Sequence, residues 1–303
     1  MPVSKPVRRN DPVAGALWML LSCALIAGVA TIGRHVTTAG VPPMQVVFLR
    51  LVFALITMSP LLIWRGADLV RTVQIRTYAI RSAIGLLAMT TWFVGLSLVP
   101  VGEVTAISFL SPLFATVFAV LLLGEVVRLR RWMATLVGFV GALVILRPGM
   151  TEISFGVWMI IISAIAMGLS TMFIKRLTDG DDADKVVFIS TLLMTPFMLV
   201  PAILVWEWPE PELWFYLLAL GPVATLGHVT LARAFVAADG SFVMGFDFAR
   251  LPFAVLYGYL AFGEIIDLWT WAGAAIIFAA SLYIARREAQ LRQRPPAPPL
   301  RYG

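Results

Sequence analysis

The stretch Val104–Leu123, VTAISFLSPLFATVFAVLLL, runs for 20 residues without a charged side chain. At about 1.5 Å of rise per residue, a helix of that length spans about 30 Å, the thickness of a bilayer's hydrocarbon core. Runs of the same kind recur at Val13–Ile32, Val41–Trp64, Tyr78–Leu98, Phe155–Ile174, Val186–Trp206, Leu213–Val236, Phe242–Phe262 and Leu268–Ala285, with a shorter one at Trp132–Leu146. The whole chain is 60% apolar and only 13% charged, where soluble domains hold about 45–50% and about 25%. The pattern predicts an all-α integral membrane protein with ten transmembrane helices.

The cations give the orientation. With a cytoplasmic amino terminus, 19 of the 23 Lys and Arg residues fall in inner segments, Arg34 and Arg147 fall outside, and Arg50 and Arg250 lie within spans. This asymmetry places both termini in the cytoplasm. It also removes nucleic acid as a partner, because the net charge of +6 marks one side of a membrane rather than a binding face. The first run is longer than a signal-peptide core and is followed by Arg34 and His35 instead of a cleavage site, so it reads as a retained helix. Residues 288–303 form a basic, proline-rich tail expected to be disordered.

Cys23 is the only cysteine, which excludes a disulfide framework. His35 and His228 are too few to make a zinc site, and neither a metal nor a cofactor is expected. No GxxxxGK[ST] loop, HExxH, GxSxG or CxxC is present, which argues against an ATP-driven pump or a membrane-embedded enzyme. Isolated polar residues, rather than repeated polar rings, argue against a channel.

An internal repeat appears at an offset of about 140 residues. LWML at Leu17–Leu20 resembles VWMI at Val157–Ile160, and VVF recurs at Val46–Phe48 and Val186–Phe188. GE recurs at Gly124–Glu125 and Gly263–Glu264, each with a tryptophan seven residues after the glutamate. The repeats are 13–147 and 152–287. Each holds five spans, an odd number, so the second copy is expected to be inverted, the usual plan of a carrier working by alternating access.

Pro112 and Pro252 fall at matching positions in the fourth and ninth spans, where each is expected to free the carbonyl four residues back and act as a hinge. Pro60 and Pro201 form a second, weaker pair. Asp247 and Arg250, three apart inside the ninth span, either neutralise each other or meet the charged ends of a zwitterionic solute. Arg50 has no acidic neighbour in sequence, and His228 lies at about the depth of Asp247 as either a core or a cavity residue. Trp92, Tyr78, Thr90 and Thr91, with Ser108, Ser163, Ser170 and Thr171, are candidate cavity lining, although such hydroxyls also bond their own helix. Glu125 and Glu264 read as carboxylates at the start of the next helix, and the loop Asp179–Asp184 as a solvated face. Ala134, Gly138 and Ala142 give a small-residue face on which a second copy could pack as a homodimer.

SPLFATVFAVLLLGE (111–125) followed by WMATLVGFVGALVILRPG (132–149) resembles the closing signature of a repeat in the drug/metabolite transporter superfamily, EamA type. LPFAVLYGYLAFGE and WAGAAIIFAASLYI give a weaker echo in the second half. The resemblance covers nearly the whole chain. It implies a secondary transporter in the bacterial cytoplasmic (inner) membrane, surrounded by lipid and exporting small metabolites, most of all amino acids.

Cysteines introduced in the Glu207–Glu212 loop or at Asp267 are therefore expected to react with an impermeant thiol reagent added outside the cell. Those in the Asp179–Asp184 loop should react only after permeabilisation. Labelling of the acidic loop in intact cells contradicts the orientation.

Overall fold

Backbone N–H and C=O groups inside a bilayer have no water to bond, so a spanning segment of this composition closes its hydrogen bonds within a helix. A computed structural model of the chain describes residues 11–123, 129–147, 152–177, 180–238, 243 and 246–292, and every regular element among them is helical. In chain order these are α1 (Pro12–Thr38), α2 (Pro43–Arg65), α3 (Ile75–Leu98), α4 (Val101–Ser108), α5 (Ser111–Leu123) and α6 (Leu129–Leu146). After them come α7 (Phe155–Leu177), α8 (Ala183–Leu204), α9 (Leu213–Ala237), α10 (Arg250–Phe262) and α11 (Leu268–Arg292), with short 3₁₀ turns at Gly66–Leu69 and Asp247–Ala249.

Seven helical segments are long and apolar enough to cross a membrane by length and composition, α4 and α5 counting together as one. Trp132–Leu146, Arg250–Phe262 and Leu268–Ala280 are shorter apolar helices. Large apolar side chains such as Leu121, Met133, Phe197, Leu204, Phe215 and Leu260 remain exposed, a surface that lipid tails cover. The helix ends follow local chemistry. Asp11 caps α1 by accepting from the Ala14 amide at 3.0 Å ahead of Pro12, and Asp182 caps α8 by accepting from the Lys185 amide at 3.1 Å.

The fourth span is interrupted where Pro112 leads the sequence to expect it. α4 ends at Ser108, the residue whose carbonyl Pro112 leaves free, and α5 begins at Ser111. The gap is closed by i→i+3 bonds, Phe109 N to Ala106 O at 3.3 Å, Leu110 N to Ile107 O at 3.0 Å and Leu113 N to Leu110 O at 3.0 Å. The ninth span behaves alike. The Asp247–Ala249 turn precedes Pro252, with Phe246 N bonded to Val243 O and Ala249 N to Phe246 O, both at 2.9 Å. Pro60 and Pro201, by contrast, lie inside unbroken helices. The carbonyl that Pro60 would strand, Ile56 O, accepts from the Ser59 hydroxyl at 2.7 Å, so nothing there needs to open.

Packing runs between the halves of the sequence rather than within them. α1 lies along α9 and α3 along α7; α2 meets α9 and α3 meets α8; α5 meets α7 and α1 meets α10. α6 pairs with α11, α2 with α8 and α4 with α10. Exchanging each element with the one five spans away returns this same set of neighbours, while the contacts of α3 with α1 and α2 fall outside it. The α6–α11 pair crosses closely: a Cβ on Gly273 would fall 2.5 Å from Gly141 O, and one on Gly141 would fall 2.8 Å from Gly273 O.

Three expectations need correction. The last helix, expected to give way to a disordered tail at residue 288, continues to Arg292 through the helix-favouring stretch EAQLR; residues 293–303 lie outside the described residues, as do Glu125 and Asp179. The small-residue face of α6 is occupied within the chain: Ala134 and Ala142 are buried, and Leu113 fills the space a side chain on Gly138 would need. The acidic loop is a solvated face only in part, since Asp182 and Asp184 are exposed while Asp181 is drawn in. Asp181 accepts from Thr72 at 2.8 Å and Tyr78 at 3.1 Å and pairs with Lys185 at 2.9 Å, while Asp182 pairs with Arg65 at 2.9 Å. Burial alone would raise the Asp181 carboxyl, but the bonds from Lys185, Thr72 and Tyr78 outweigh it and hold the group below its ordinary range. A depressed carboxyl stabilises the fold above its unfolded pKa, so this link is intact at neutral pH and is lost only as pH falls through the acid range.

Candidate functional site

The interruptions in the fourth and ninth spans bring the candidate residues together. At the first, Trp92 of α3 donates its indole N–H to Ser108 Oγ at 3.2 Å, and Ser108 in turn donates to Val104 O at 2.7 Å. At the second, Arg250 donates to Asp247 at 3.0 Å, and both side chains are about three-quarters buried. The Arg250 guanidinium also lies over the Phe109 ring, 5.0 Å from its centroid. The α4–α5 break and the turn before α10 thus touch through one cation–aromatic contact. Of the two readings left open by the sequence, the geometry shows the local ion pair.

Arg50 and His228 belong to a neighbouring group. The Arg50 guanidinium reaches across to α3 and meets Met89 Sδ at 3.0 Å, while its buried Nε has no hydrogen-bond partner. Arg81, on the same α3, also has a buried Nε without a partner. Among the described residues neither arginine has a carboxylate partner. His228 of α9 lies within electrostatic reach of both. Its Nδ1 is 2.7 Å from Ala224 O, and since a carbonyl only accepts, Nδ1 carries the proton and Nε2 is the ring's free position. The His228 side chain is exposed on α9 and lies within electrostatic reach of the cations on α2 and α3, so the three make one polar group. Among the described residues no bond joins His228 to Asp247. Each intramembrane arginine costs about 2.5–3.5 kcal/mol on insertion scales, so two without carboxylates mark this group as built for something else.

Other candidates are structural contacts. Tyr78 is fully buried at the inner end, where its hydroxyl donates to Asp181. Ser163 is buried and donates to Ala88 O of α3 at 2.7 Å, fastening α7 to α3. Thr91 and Thr171 bond carbonyls of their own helices, to Leu87 O at 2.8 Å and Met167 O at 2.9 Å, and Ser170 is buried. Thr90 lies 3.8 Å from Met198 Sδ. Arg81 was hidden in the sequence by being counted with the inner-loop cations. Its signal is its place inside the Tyr78–Leu98 run, on the inward face marked by Tyr78, Ser82 and Gly85.

The end of the bundle opposite the acidic loop is held by a second set of charges. Arg34 forms an ion pair with Glu264, and its Nη1 donates to Leu96 O at 2.8 Å and Val99 O at 2.7 Å, the final carbonyls around α3. Glu264 accepts from the Val101 amide at 2.8 Å. Glu264 thus serves a helix start, as expected, but that of α4 in the other half; α11 is started by Asp267, which accepts from the Thr270 amide at 2.8 Å. Gln45 and Glu207 add a two-way link, donating at 2.8 Å and accepting at 3.1 Å. Among the described residues no group of three or more His, Cys, Asp or Glu could hold a metal.

Comparison with known proteins places this arrangement in context. The EamA-like transporter family matches the chain twice, over residues 13–147 and 154–286. A riboflavin transporter of Vibrio cholerae is 32% identical, covering 94% of this chain and 97% of its own. An S-adenosylmethionine uptake transporter of Rickettsia prowazekii is 27% identical, covering 90% and 93%. A crystal structure 19% identical in sequence superposes with a TM-score of 0.61 over 95% of this chain and all of its own, which shows a shared fold.

Glu264→Gln leaves Arg34 charged and buried without a counter-charge. It should cost on the order of 3 kcal/mol and lower the melting temperature in detergent by several degrees, and adding Arg34→Gln should recover much of the loss. Equal melting of Glu264→Gln and wild type would reduce the pair to a surface contact.

Proposed function

We propose, for a chain that belongs to the EamA-like transporter family, that the solute is a nitrogen-heteroaromatic metabolite of the riboflavin kind, carried by alternating access between two inverted halves. That the protein is a multi-pass bacterial membrane transporter of small metabolites, and not an enzyme, follows from the family and the full-length relatives. The finer reading rests on the near end-to-end match to the Vibrio cholerae riboflavin transporter. The site supports it. Trp92 supplies a partly accessible flat surface beside the break, with the Arg250 guanidinium held close by over buried Phe109. A planar ring can stack on the indole while its ring carbonyls meet guanidinium donors.

The amino acid expected from the sequence finds less support. Its ammonium needs a carboxylate, and Asp247, the one beside the breaks, is bonded to Arg250 at 3.0 Å. Ten spans with both termini in the cytoplasmic (inner) membrane's cytoplasmic side agree with the seven long and three shorter apolar helices and with the distribution of cations. The double family match and the exchange-symmetric packing support two equivalent halves, with Pro112 and Pro252 as hinges. Export and uptake use the same cycle, and the solute gradient sets the direction.

Expressed in a bacterial strain that can neither make nor import riboflavin, the protein should restore growth on low riboflavin and give saturable uptake of the labelled vitamin. Unlabelled riboflavin should compete, and a mixture of amino acids should not. Absence of uptake with the protein confirmed in the membrane overturns the solute, and competition by an amino acid restores the alternative.

A further inference from the structure

Arg50, His228 and Arg81 lie on three different helices. Met89, the contact of Arg50, lies eight residues beyond Arg81 on α3, or about 12 Å along the axis. His228 of α9 lies within electrostatic reach of both arginines. Both guanidiniums keep a buried Nε with no protein partner, and neither is matched by a carboxylate among the described residues. The remaining arginine of the region, Arg250, is matched by Asp247. An unmatched pair of forks at two depths along α3 calls for oxygen acceptors bearing negative charge, because guanidinium binds oxyanions through parallel N–H donors.

We propose that Arg50 and Arg81 form an oxyanion-binding lane along α3, with His228 near it, and that the solute recognised there carries a phosphate or carboxylate. This deepens the heteroaromatic reading above and rests on it for the ring half of the ligand. Among flavins the lane favours the phosphorylated form, with the ring beside Trp92 and the oxyanion among the arginines. His228 Nε2, when neutral, accepts from a guanidinium or from a protonated phosphate, so the ring lines the lane without adding a carboxylate that would neutralise it.

The test uses the full chain, purified in detergent, with riboflavin, riboflavin 5′-phosphate and inorganic phosphate as probes of thermal stability and of tryptophan fluorescence. The phosphorylated flavin should bind at least about tenfold tighter than riboflavin, a difference of about 1.4 kcal/mol. Arg50→Gln and Arg81→Gln should each erase that preference and leave riboflavin binding within about twofold. Both variants should melt no lower than wild type without ligand, because each removes an uncompensated cation, and this separates loss of binding from loss of fold. Equal affinity of the two flavins in wild type, or an equal loss of both in the variants, overturns the lane. Should neither flavin bind, the ring reading fails, and inorganic phosphate decides alone. Stabilisation by phosphate that both variants lose upholds the oxyanion site, and no stabilisation removes it.

Discussion

A backbone carbonyl or amide left unpaired in hydrocarbon is costly, and the tolerated exceptions lie where protein or a wet crevice can answer it. Here the fourth and ninth spans break at Phe109–Leu110 and Asp247–Ala249, and in both the backbone amides at the break are tied by i→i+3 bonds. Both breaks face the other half of the chain, linked by Arg250 over Phe109. The outer junction of α3 and α4 obeys the same constraint with charges. Arg34 covers the carbonyls that end α3, and Glu264 covers the amide that begins α4, each sign matched to its helix end.

The distribution of charge then divides the molecule by role. At the two ends carboxylates and cations meet: Arg34 with Glu264 and Arg147 with Asp267 at one, Arg65 with Asp182 and Lys185 with Asp181 at the other. All but Lys185–Asp181 tie one half to the other, and Asp181 in turn accepts from Thr72 and Tyr78 of the first half. Between the ends, Arg50 and Arg81 stand without carboxylate partners among the described residues. Fastenings at both ends and open cations between them are what a carrier needs if each end is to release in turn around a charged solute.

Much of the fold is legible in the sequence because it depends on quantities local to a segment. Run length sets the spans, proline position sets the breaks at Pro112 and Pro252, and an odd number of spans per repeat sets the expected inversion. The site was less legible because it depends on partners far away in the chain. Tyr78 looked like cavity lining until Asp181, 103 residues on, claimed its hydroxyl. Glu264 read correctly as a helix-start carboxylate, but the helix it starts lies 163 residues back. Pro60 looked like a hinge because its neighbour Ser59 can rebond Ile56 O only through a side chain that no spacing rule describes. Arg81 was read by its nearness to a loop, whereas its helical face, shared with Tyr78 and Ser82, turns it inward.

The central claim is that two equivalent halves exchange access around the broken spans. Matching loops make this measurable. Val73 and Gly180 are exposed on the loops joined at the inner end, and Ala39 and Trp208 on the corresponding loops of the outer end. Spin labels on each pair, in separate samples reconstituted into lipid, give inter-label distances by pulsed electron resonance. The account expects two populations for each pair, with solute shifting them in opposite senses, so that one end closes as the other opens. Distances that stay single, or that lengthen and shorten together at both ends, would contradict alternating access between the halves.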